Sequence, residues 1–165
     1  MRGSPSRDPD PANASRARLY ALKLLSYRGR SEKELRERLS KKGFAETAVS
    51  ETIASLKHTG LVDDASLAEI LTTEAFSRKM LSRSAAKQYL RIRGIPAGVI
   101  ETTAALDAET DTDNAKRLVH KKLKALRHYP REIVRRRLYN VLARRGYSSG
   151  TIRRVLKDEF LNEEE

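Results

Sequence analysis

The sequence predicts an all-α protein built from three tandem three-helix repeats. One observation is a recurring turn in which a basic residue, a glycine and a large apolar residue follow one another. It occurs at Lys42-Gly43-Phe44, Arg93-Gly94-Ile95 and Arg145-Gly146-Tyr147. The glycines stand 51 residues (94 − 43) and 52 residues (146 − 94) apart, and such a fixed period is typical of one supersecondary unit repeated along a chain. A second observation is that no stretch keeps an alternating apolar pattern, so no strand is expected.

Each recurring turn indicates the end of one helix and the start of another. A leucine stands four residues before each glycine, at Leu39, Leu90 and Leu142. A basic last turn followed by glycine is typical of a helix C-terminus, because glycine adopts the left-handed conformation there at little cost. A glycine loop that cradles phosphate would instead need several glycines between a strand and a helix. The turns therefore predict helix-turn-helix-like units.

Nine helices follow from the spacing of apolar residues and from helix-start signals. Ser31 and Glu34 form a capping-box pattern, in which the Ser31 side chain accepts a hydrogen bond from a free backbone amide and the Glu34 side chain reaches back to the backbone amide of Ser31. The first eight helices are expected to begin near Ser15, Ser31, Ala45, Asp63, Ser84, Pro96, Asn114 and Pro130. The ninth is expected to turn Ile152, Val155, Leu156 and Phe160 inward. The repeats then cover residues 16–60, 61–107 and 108–161, between a disordered tail at 1–15 and an acidic tail at 162–165.

The composition allows a hydrophobic core, but a thin one. Apolar residues make up 39% of the chain and charged residues 34%, with a mean hydropathy of −0.63. Repeat proteins share such cores between neighbouring units. The absence of cysteine excludes disulfides and thiolate metal sites. No apolar run approaches the roughly 18 residues of a membrane span, and the N-terminus lacks the apolar segment of a secretory signal. We therefore expect a cytoplasmic protein that does not bind membranes. We also expect it to be a monomer.

Positive charge is segregated from negative charge along the chain. The formal net charge is +12, and the stretch from Lys116 to Lys157 has fifteen Lys or Arg residues against one acidic residue, Glu132. A second basic run extends over residues 78–93, and an acidic stretch at 101–113 separates the two. Segregation of this kind favours a polyanionic or acidic partner over a surface that is merely solvated.

Helical spacing places nine of these basic residues away from the apolar stripes of the last three helices. We call them the nine candidate cations and expect them to form the contact surface: Arg117, Lys121, Lys124, Arg136, Arg137, Arg144, Arg153, Arg154 and Lys157. Arg83, Lys87 and Arg91 form a secondary basic run on the fifth helix. Arg145 falls beside an apolar stripe, so we expect its stem to pack there and its head to meet the C-terminus of its own helix.

The sequence offers no convincing catalytic site. Asp63 and Asp64 invite an acid–base or metal interpretation, but an N-cap and a first-turn carboxylate explain the pair more simply. The three histidines are not spaced to meet at one metal ion, no Gly-x-Ser-x-Gly pattern marks a nucleophile, and there is no P-loop. We therefore predict a protein that is not an enzyme and has no catalytic, cofactor-binding or metal-binding residues.

Several kinds of nucleic-acid binding stay open. Helix-turn-helix-like units suit duplex DNA, but a recognition helix normally mixes arginine with residues that read base edges. The outward residues here are mainly Arg and Lys, which suit phosphates or carboxylates. Aromatic residues make up only 5% of the chain and there is no Trp, so a stacking platform for single strands has little support. A sequence-specific duplex-binding regulator and a plain nucleic-acid chaperone are the alternatives.

A family resemblance is more specific than these general patterns. It is carried, in order, by Ala21-Leu22-Lys23-Leu24-Leu25, Ser31-Glu32-Lys33-Glu34-Leu35, Lys42-Gly43-Phe44, Gly60-Leu61-Val62-Asp63-Asp64, Arg93-Gly94-Ile95 and Leu142-Ala143-Arg144-Arg145-Gly146-Tyr147-Ser148. With these stretches the chain from about Ala17 to Phe160 resembles the RecX family of regulators of the RecA recombinase. The resemblance implies three tandem three-helix repeats in an extended, curved arrangement.

The resemblance also implies a function and its partners. It implies binding along the groove of a RecA filament on single-stranded DNA, with inhibition of strand exchange and coupled ATP hydrolysis during homologous recombination, DNA repair and the SOS response. Two positions depart from the family pattern. Leu67 stands where the family has an aromatic residue, which we interpret as the replacement of one core residue by another. The segment 81–85 replaces a Gly-Pro-x-x-Ile pattern before the fifth helix.

Overall fold

The structure is a computed structural model that describes residues 11–103 and 108–161. Within these ranges it contains nine α-helices, one π-helical segment and no strand. The α-helices are α1 (Pro11–Tyr27), α2 (Glu32–Lys41), α3 (Glu46–His58), α4 (Asp64–Thr73), α5 (Arg83–Ile92), α6 (Ala97–Thr103), α7 (Ala108–Leu126), α8 (Arg131–Arg144) and α9 (Ser149–Leu161). The π-helical segment, Glu74–Arg78, directly continues α4. The prediction of an all-α fold is confirmed.

The helices belong to two compact units. The first unit consists of Met1–Leu67 with Arg93–Pro96, and the second of Ala68–Ile92 with Ala97–Glu165. The first unit therefore contains α1, α2 and α3, and the second contains α5 to α9, while residues of α4 belong to both. The boundaries proposed above for three repeats stay a prediction.

In the first unit, α1, α2 and α3 pack against one another. Their inner faces and the segment after α3 supply a buried apolar core: Ala17, Ala21, Leu24, Leu35, Leu39, Ala48, Val49, Ile53, Leu56 and Val62. Gly43 has a φ of 94° after the end of α2. The amide of Phe44 donates to the carbonyl of Leu39 at 3.3 Å, and this hydrogen bond is typical of a Schellman motif. Phe44 thereby packs back against the core of the same unit.

The N-terminus of α2 confirms one half of the predicted capping box. Ser31 Oγ accepts a hydrogen bond from the amide of Glu34 at 3.1 Å. The other half was wrong, because the Glu34 carboxylate accepts from the guanidinium groups of Arg28 and Arg30 instead of reaching back. Bonds between ions of opposite charge are stronger than a bond to a neutral amide, which explains the exchange of partner.

Asp63 and Asp64 both act as helix caps. Asp63 Oδ1 accepts from the amides of Ala65 and Ser66 at 2.9 and 3.1 Å, so its predicted N-cap role for α4 is confirmed. Asp64 Oδ1 accepts from the amide of Glu32, at the start of α2, at 2.9 Å. The hydrogen bond from the Ser66 hydroxyl lowers the pKa of Asp63, whereas burial raises the pKa of Asp64. Capping accounts for both carboxylates.

In the second unit, α7, α8 and α9 pack against one another. Their shared core contains eleven buried residues: Ala115, Leu118, Val119, Val134, Leu138, Leu142, Tyr147, Ile152, Val155, Leu156 and Phe160. The four residues of the ninth helix that were predicted to point inward are all in this core. Leu67, in the first unit, is also buried at 8% exposure, which agrees with its interpretation as the replacement of one core residue by another.

The turn after α8 packs tightly against the start of α5. Gly146 has a φ of 85°, and a Cβ atom added there would lie 2.7 Å from Ala85 Cβ and 2.8 Å from Ser82 Oγ. Ser82, which directly precedes α5, donates from its hydroxyl to the Gly146 carbonyl at 2.7 Å. Its amide donates to the Arg145 carbonyl at 3.0 Å. Glycine is therefore required here both by the backbone conformation and by the close approach.

Arg145 and Tyr147 extend the same contact to the segment after α4. The Arg145 guanidinium donates to the carbonyl of Lys79, and the Tyr147 hydroxyl donates to the carbonyl of Met80 at 3.0 Å. The prediction for Arg145 was wrong in one respect. Its head meets the end of the π-helical segment rather than the C-terminus of α8, because helix packing brings those free carbonyls within reach.

The first unit contains an equivalent arrangement. Gly94 has a φ of 79°, and a Cβ atom there would lie 2.5 Å from the Oγ of Ser31, the residue before α2. Arg93 donates to the carbonyl of Gly29 at 2.9 Å. We call each combination of glycine, preceding arginine and helix-capping serine a glycine clasp. By contrast, a Cβ atom at Gly43 would meet nothing within 4 Å.

Two helices begin earlier than predicted. α1 starts at Pro11, where a proline is tolerated because the first amides of a helix have no intrahelical partner. α7 starts at Ala108 rather than Asn114, since negative charge is favourable in the first turns of a helix. Asp111 also accepts from the amide of Arg83, at the start of α5, at 2.8 Å. The rest of the predicted tails, at 1–10 and 162–165, lies outside the described residues.

Candidate functional site

The nine candidate cations all lie exposed on the last three helices. The structure places three on α7, three on α8 and three on α9, and each is exposed to solvent. Within residues 11–103 and 108–161, no carboxylate oxygen lies within 4.0 Å of any of the nine side-chain cations. Their charges are therefore available to an external anion.

The helix geometry explains this exposure. On α7, Arg117, Lys121 and Lys124 follow one another at i, i+4 and i+7, which places them along one side of the helix. Leu118 and Val119, which stand beside Arg117 in the sequence, are buried. The same alternation of faces applies on α9, where Ile152 and Val155 are buried and the residues between them are exposed.

A groove between α8 and α9 brings two candidate cations together. Arg136 and Arg153 both line this groove, whose volume is about 290 Å³. Arg135 and Tyr139 line it as well. The remaining lining residues are Glu132 and Leu156. Three guanidinium groups around one carboxylate leave the groove with a positive balance, so it can accept phosphate or carboxylate groups.

A second cleft lies where α7, the start of α8 and the end of α9 meet. Its volume is about 420 Å³, and its lining residues are Leu123, Lys124, Arg127, Tyr129, Arg131, Val134 and Phe160. Lys124 is the one candidate cation among them. Arg131 lies with its guanidinium carbon 5.4 Å from the centre of the Phe160 ring and donates to the Phe160 carbonyl. This cleft combines basic groups with an apolar floor.

The other candidate cations line neither opening. They are Arg117, Lys121, Arg137, Arg144, Arg154 and Lys157. Arg137 packs against an aromatic ring, with its guanidinium carbon 4.0 Å from the centre of the Tyr129 ring. Arg117 donates to Asn114 Oδ1 at 3.3 Å. The nine residues therefore divide between two openings and the exposed helix faces beside them.

The three residues of the secondary basic run on α5 differ in their exposure to solvent. Arg83 and Arg91 are exposed, but Lys87 is half-buried. Its ammonium group pairs with a Glu101 carboxylate oxygen at 2.8 Å, and this hydrogen bond lowers the pKa of Glu101. Lys87 thus has an internal partner, which makes Arg83 and Arg91 the stronger candidates of this run.

Three arginines and two tyrosines that line the two openings were not predicted as site residues from the sequence. Arg127, Arg131 and Arg135 were left out of the nine candidate cations, and Tyr129 and Tyr139 were not assigned to a site. A signal for part of this set is present in the chain, because 131, 135 and 139 follow one another at intervals of four and so share a helix face. The exposure of the two tyrosines, 45% and 41%, depends on the packing of α8 and has no such local signal.

The described residues form neither a metal-binding cluster nor a membrane-spanning helix. Among the described residues, no group of three His, Cys, Asp or Glu side chains is placed to hold a metal ion. His120 pairs instead with Glu159, with its Nδ1 atom 3.5 Å from a carboxylate oxygen. In the same part of the chain, no helix combines the length and apolar character needed to cross a membrane.

Comparison with known proteins identifies the family of the chain. A model of the first three-helix domain of RecX matches residues 17–56, and a model of the third three-helix domain of RecX matches residues 109–156. The regulatory protein RecX of Streptomyces coelicolor is 33% identical over 165 residues, which cover 99% of this chain and 86% of that protein. The regulatory protein RecX of Amycolatopsis mediterranei is 33% identical over 157 residues, which cover 94% of this chain and 90% of that protein.

Solved structures agree on the fold. The crystal structure of RecX from Lactobacillus salivarius superposes with a TM-score of 0.72 at 22% identity, covering 91% of this chain and 98% of that one. A second crystal structure of a regulatory protein RecX gives a TM-score of 0.67 at 22% identity, covering 96% of this chain and 81% of that one. These likenesses, the two matched domains and the near-full-length relatives lead to one conclusion: the chain belongs to the RecX family of regulatory proteins.

Proposed function

We propose that this protein regulates a RecA recombinase by binding the RecA filament on single-stranded DNA and inhibiting strand exchange and coupled ATP hydrolysis. Membership of the RecX family is the observation that carries this proposal. The proposed role is regulatory and needs no catalytic centre. It places the protein in the cytoplasm, acting in homologous recombination and DNA repair.

The nine candidate cations are the proposed contact surface. A nucleoprotein filament offers phosphates and protein carboxylates, and both attract exposed lysine and arginine. The groove with Arg136 and Arg153 is the proposed centre of this surface, because Arg135 adds a third guanidinium group there. If DNA phosphates supply the binding, affinity falls steeply with salt, by about 10³–10⁵-fold between 50 and 200 mM for six to ten contacts. A surface that also contacts RecA keeps more of its affinity for the filament than for naked DNA.

The testing variant combines Arg136→Glu with Arg153→Glu. Both side chains are exposed, so the charge reversal leaves the apolar core of α8 and α9 intact. We expect unchanged helix content by circular dichroism and a sharp loss of affinity for a RecA filament. The matched control is Arg16→Glu with Lys23→Glu, which makes the same change in net charge at exposed positions of α1 and should leave affinity close to that of the parent protein.

Two outcomes would redirect the proposal. Equal binding by the test variant and the parent would move the contact surface elsewhere, with Arg83 and Arg91 as the next residues to reverse. A protein that prefers one duplex sequence and ignores RecA would instead be a helix-turn-helix-like duplex regulator. That result would overturn the proposed function itself.

A further inference from the structure

We infer that the cleft beside Tyr129 binds an unpaired base of single-stranded DNA together with its phosphate. The inference rests on the proposed function in one respect, since it takes single-stranded DNA as the ligand. It adds base stacking to the phosphate contacts proposed above. Tyr129, Arg127 and Arg131 are the residues that it adds to the contact surface.

The position of Tyr129 provides the first reason. Tyr129 lies between α7 and α8, and its amide donates to the carbonyl of Leu126 at 3.0 Å. The Arg137 guanidinium carbon lies 4.0 Å from the centre of the tyrosine ring, and the residue nevertheless stays 45% exposed. The hydrogen bond holds the backbone and the stacked guanidinium orients the ring. A flat ligand can therefore stack on the Tyr129–Arg137 pair without first ordering it.

The charge of the cleft provides the second reason. Lys124, Arg127 and Arg131 are among its described lining residues, and none of the described lining residues is acidic. The α8–α9 groove differs, since Glu132 is part of its lining. An anion entering the cleft beside Tyr129 therefore meets Lys124 and Arg127, and no described residue adds a carboxylate to the lining.

The apolar floor and the size of the cleft fit a base. Leu123, Val134 and Phe160 line it, and apolar residues with a few polar groups are typical of small-molecule sites. Its volume of about 420 Å³ lies within the range of about 300–1,000 Å³ that is usual for such sites. A nucleotide joins a flat base to a phosphate, and the cleft offers apolar surface and cations to those two parts.

Single strands suit this cleft better than the alternatives. In a duplex the faces of the bases are stacked on one another, so an exposed tyrosine has no face to pack against. An acidic peptide would satisfy the cations, but a carboxylate gains nothing from the negatively charged face of an aromatic ring. Base–aromatic stacking is also tolerant of sequence, because every base has a π-face.

The test compares two oligonucleotides of equal length in the absence of RecA. One is oligo-dT and the other is an abasic strand, which keeps the phosphates but has no bases to stack. Binding of the whole 165-residue chain is measured by fluorescence anisotropy at fixed salt. The parent protein is compared with Tyr129→Ala, with Tyr129→Phe, and with the control Tyr27→Ala, which removes a tyrosine of the first unit that is 72% exposed.

Tyr129→Ala should weaken binding of oligo-dT by about 5- to 150-fold, the loss of stacking on one base. It should leave binding of the abasic strand unchanged. Tyr129→Phe keeps the stacking surface and should bind oligo-dT like the parent, as should Tyr27→Ala.

Four results would overturn the inference. One is oligo-dT binding by Tyr129→Ala that equals the parent's. Another is an equal loss on both strands, which would indicate a role in phosphate binding alone. The third is a loss seen only with a RecA filament, which would assign the cleft to a protein surface. A parent protein that binds no naked strand would also overturn it, while leaving the regulation of RecA to be judged by its own assay.

Discussion

Substituting Gly146 by alanine tests the glycine clasp in the second unit. The new methyl group would lie 2.7 Å from Ala85 Cβ and 2.8 Å from Ser82 Oγ. Two costs add up. A left-handed conformation with a side chain costs about 1–2 kcal/mol, and relief of the overlap costs about 1–3 kcal/mol more. Moving Ser82 away would also weaken its hydrogen bond to the Gly146 carbonyl. We expect the free energy of unfolding to fall by about 2–5 kcal/mol.

Gly43→Ala is the matched control for this prediction. Gly43 also has a positive φ, 94°, but a Cβ atom there would meet nothing within 4 Å. This substitution should cost only the conformational part, about 1–2 kcal/mol. Urea denaturation followed by far-ultraviolet circular dichroism measures both variants against the parent. Equal losses in the two variants would refute the clasp, because the close approach would then contribute nothing.

Two further substitutions test the cores and the ion pairs. Leu142→Ala removes a fully buried side chain and should destabilise α7, α8 and α9 together by about 2–5 kcal/mol; hydrogen exchange accelerated in α8 alone would argue against a shared core. Glu34→Gln tests an electrostatic contribution: burial opposes ionisation of Glu34, but hydrogen bonds and charge from Arg28 and Arg30 outweigh it and lower its pKa. A carboxyl whose pKa is lowered by folding stabilises the protein above its unfolded pKa, and this contribution is lost as the pH falls through the folded value. The variant should therefore lose stability at neutral pH and show a shallower further loss in acid, and an acid profile parallel to that of the parent would contradict this.

Features that depend on local sequence could be predicted. Ser31, Asp63 and the glycine turns carry their signals within a few residues, because caps and left-handed turns are short-range structures. The buried stripe of α9 followed from helical periodicity alone. The exposure of the nine candidate cations likewise followed from their spacing.

Features that depend on long-range packing could not be predicted. Ser82 and Gly146 are 64 residues apart in the chain, so nothing near either residue reveals their contact. Glu34 exchanged its expected backbone partner for two arginines that the fold brings to it. The acidic residues before Asn114 indicated a junction, yet the same residues are favourable at a helix N-terminus, and the sequence did not decide between the two.

The two openings beside α8 show the same difference between features set by local sequence and features set by long-range packing. Spacing identified Arg136 and Arg153 separately, but only the packing of α8 on α9 shows that they line one groove. The low aromatic content argued against a stacking surface. The overall aromatic content is a weak guide here, because stacking on one base needs only one well-placed ring. The location of Tyr129 next to Arg137 depends on how the chain enters α8.

Regulation of RecA by this protein can be followed through the ATPase activity of RecA itself. RecA-catalysed ATP hydrolysis on single-stranded DNA is followed while the purified protein is added at substoichiometric amounts. We predict that the rate of hydrolysis falls as the protein is added, and that Arg136→Glu with Arg153→Glu inhibits far less than the parent. A rate that stays unchanged up to equimolar protein, under conditions where RecA hydrolyses ATP normally, would contradict the claim.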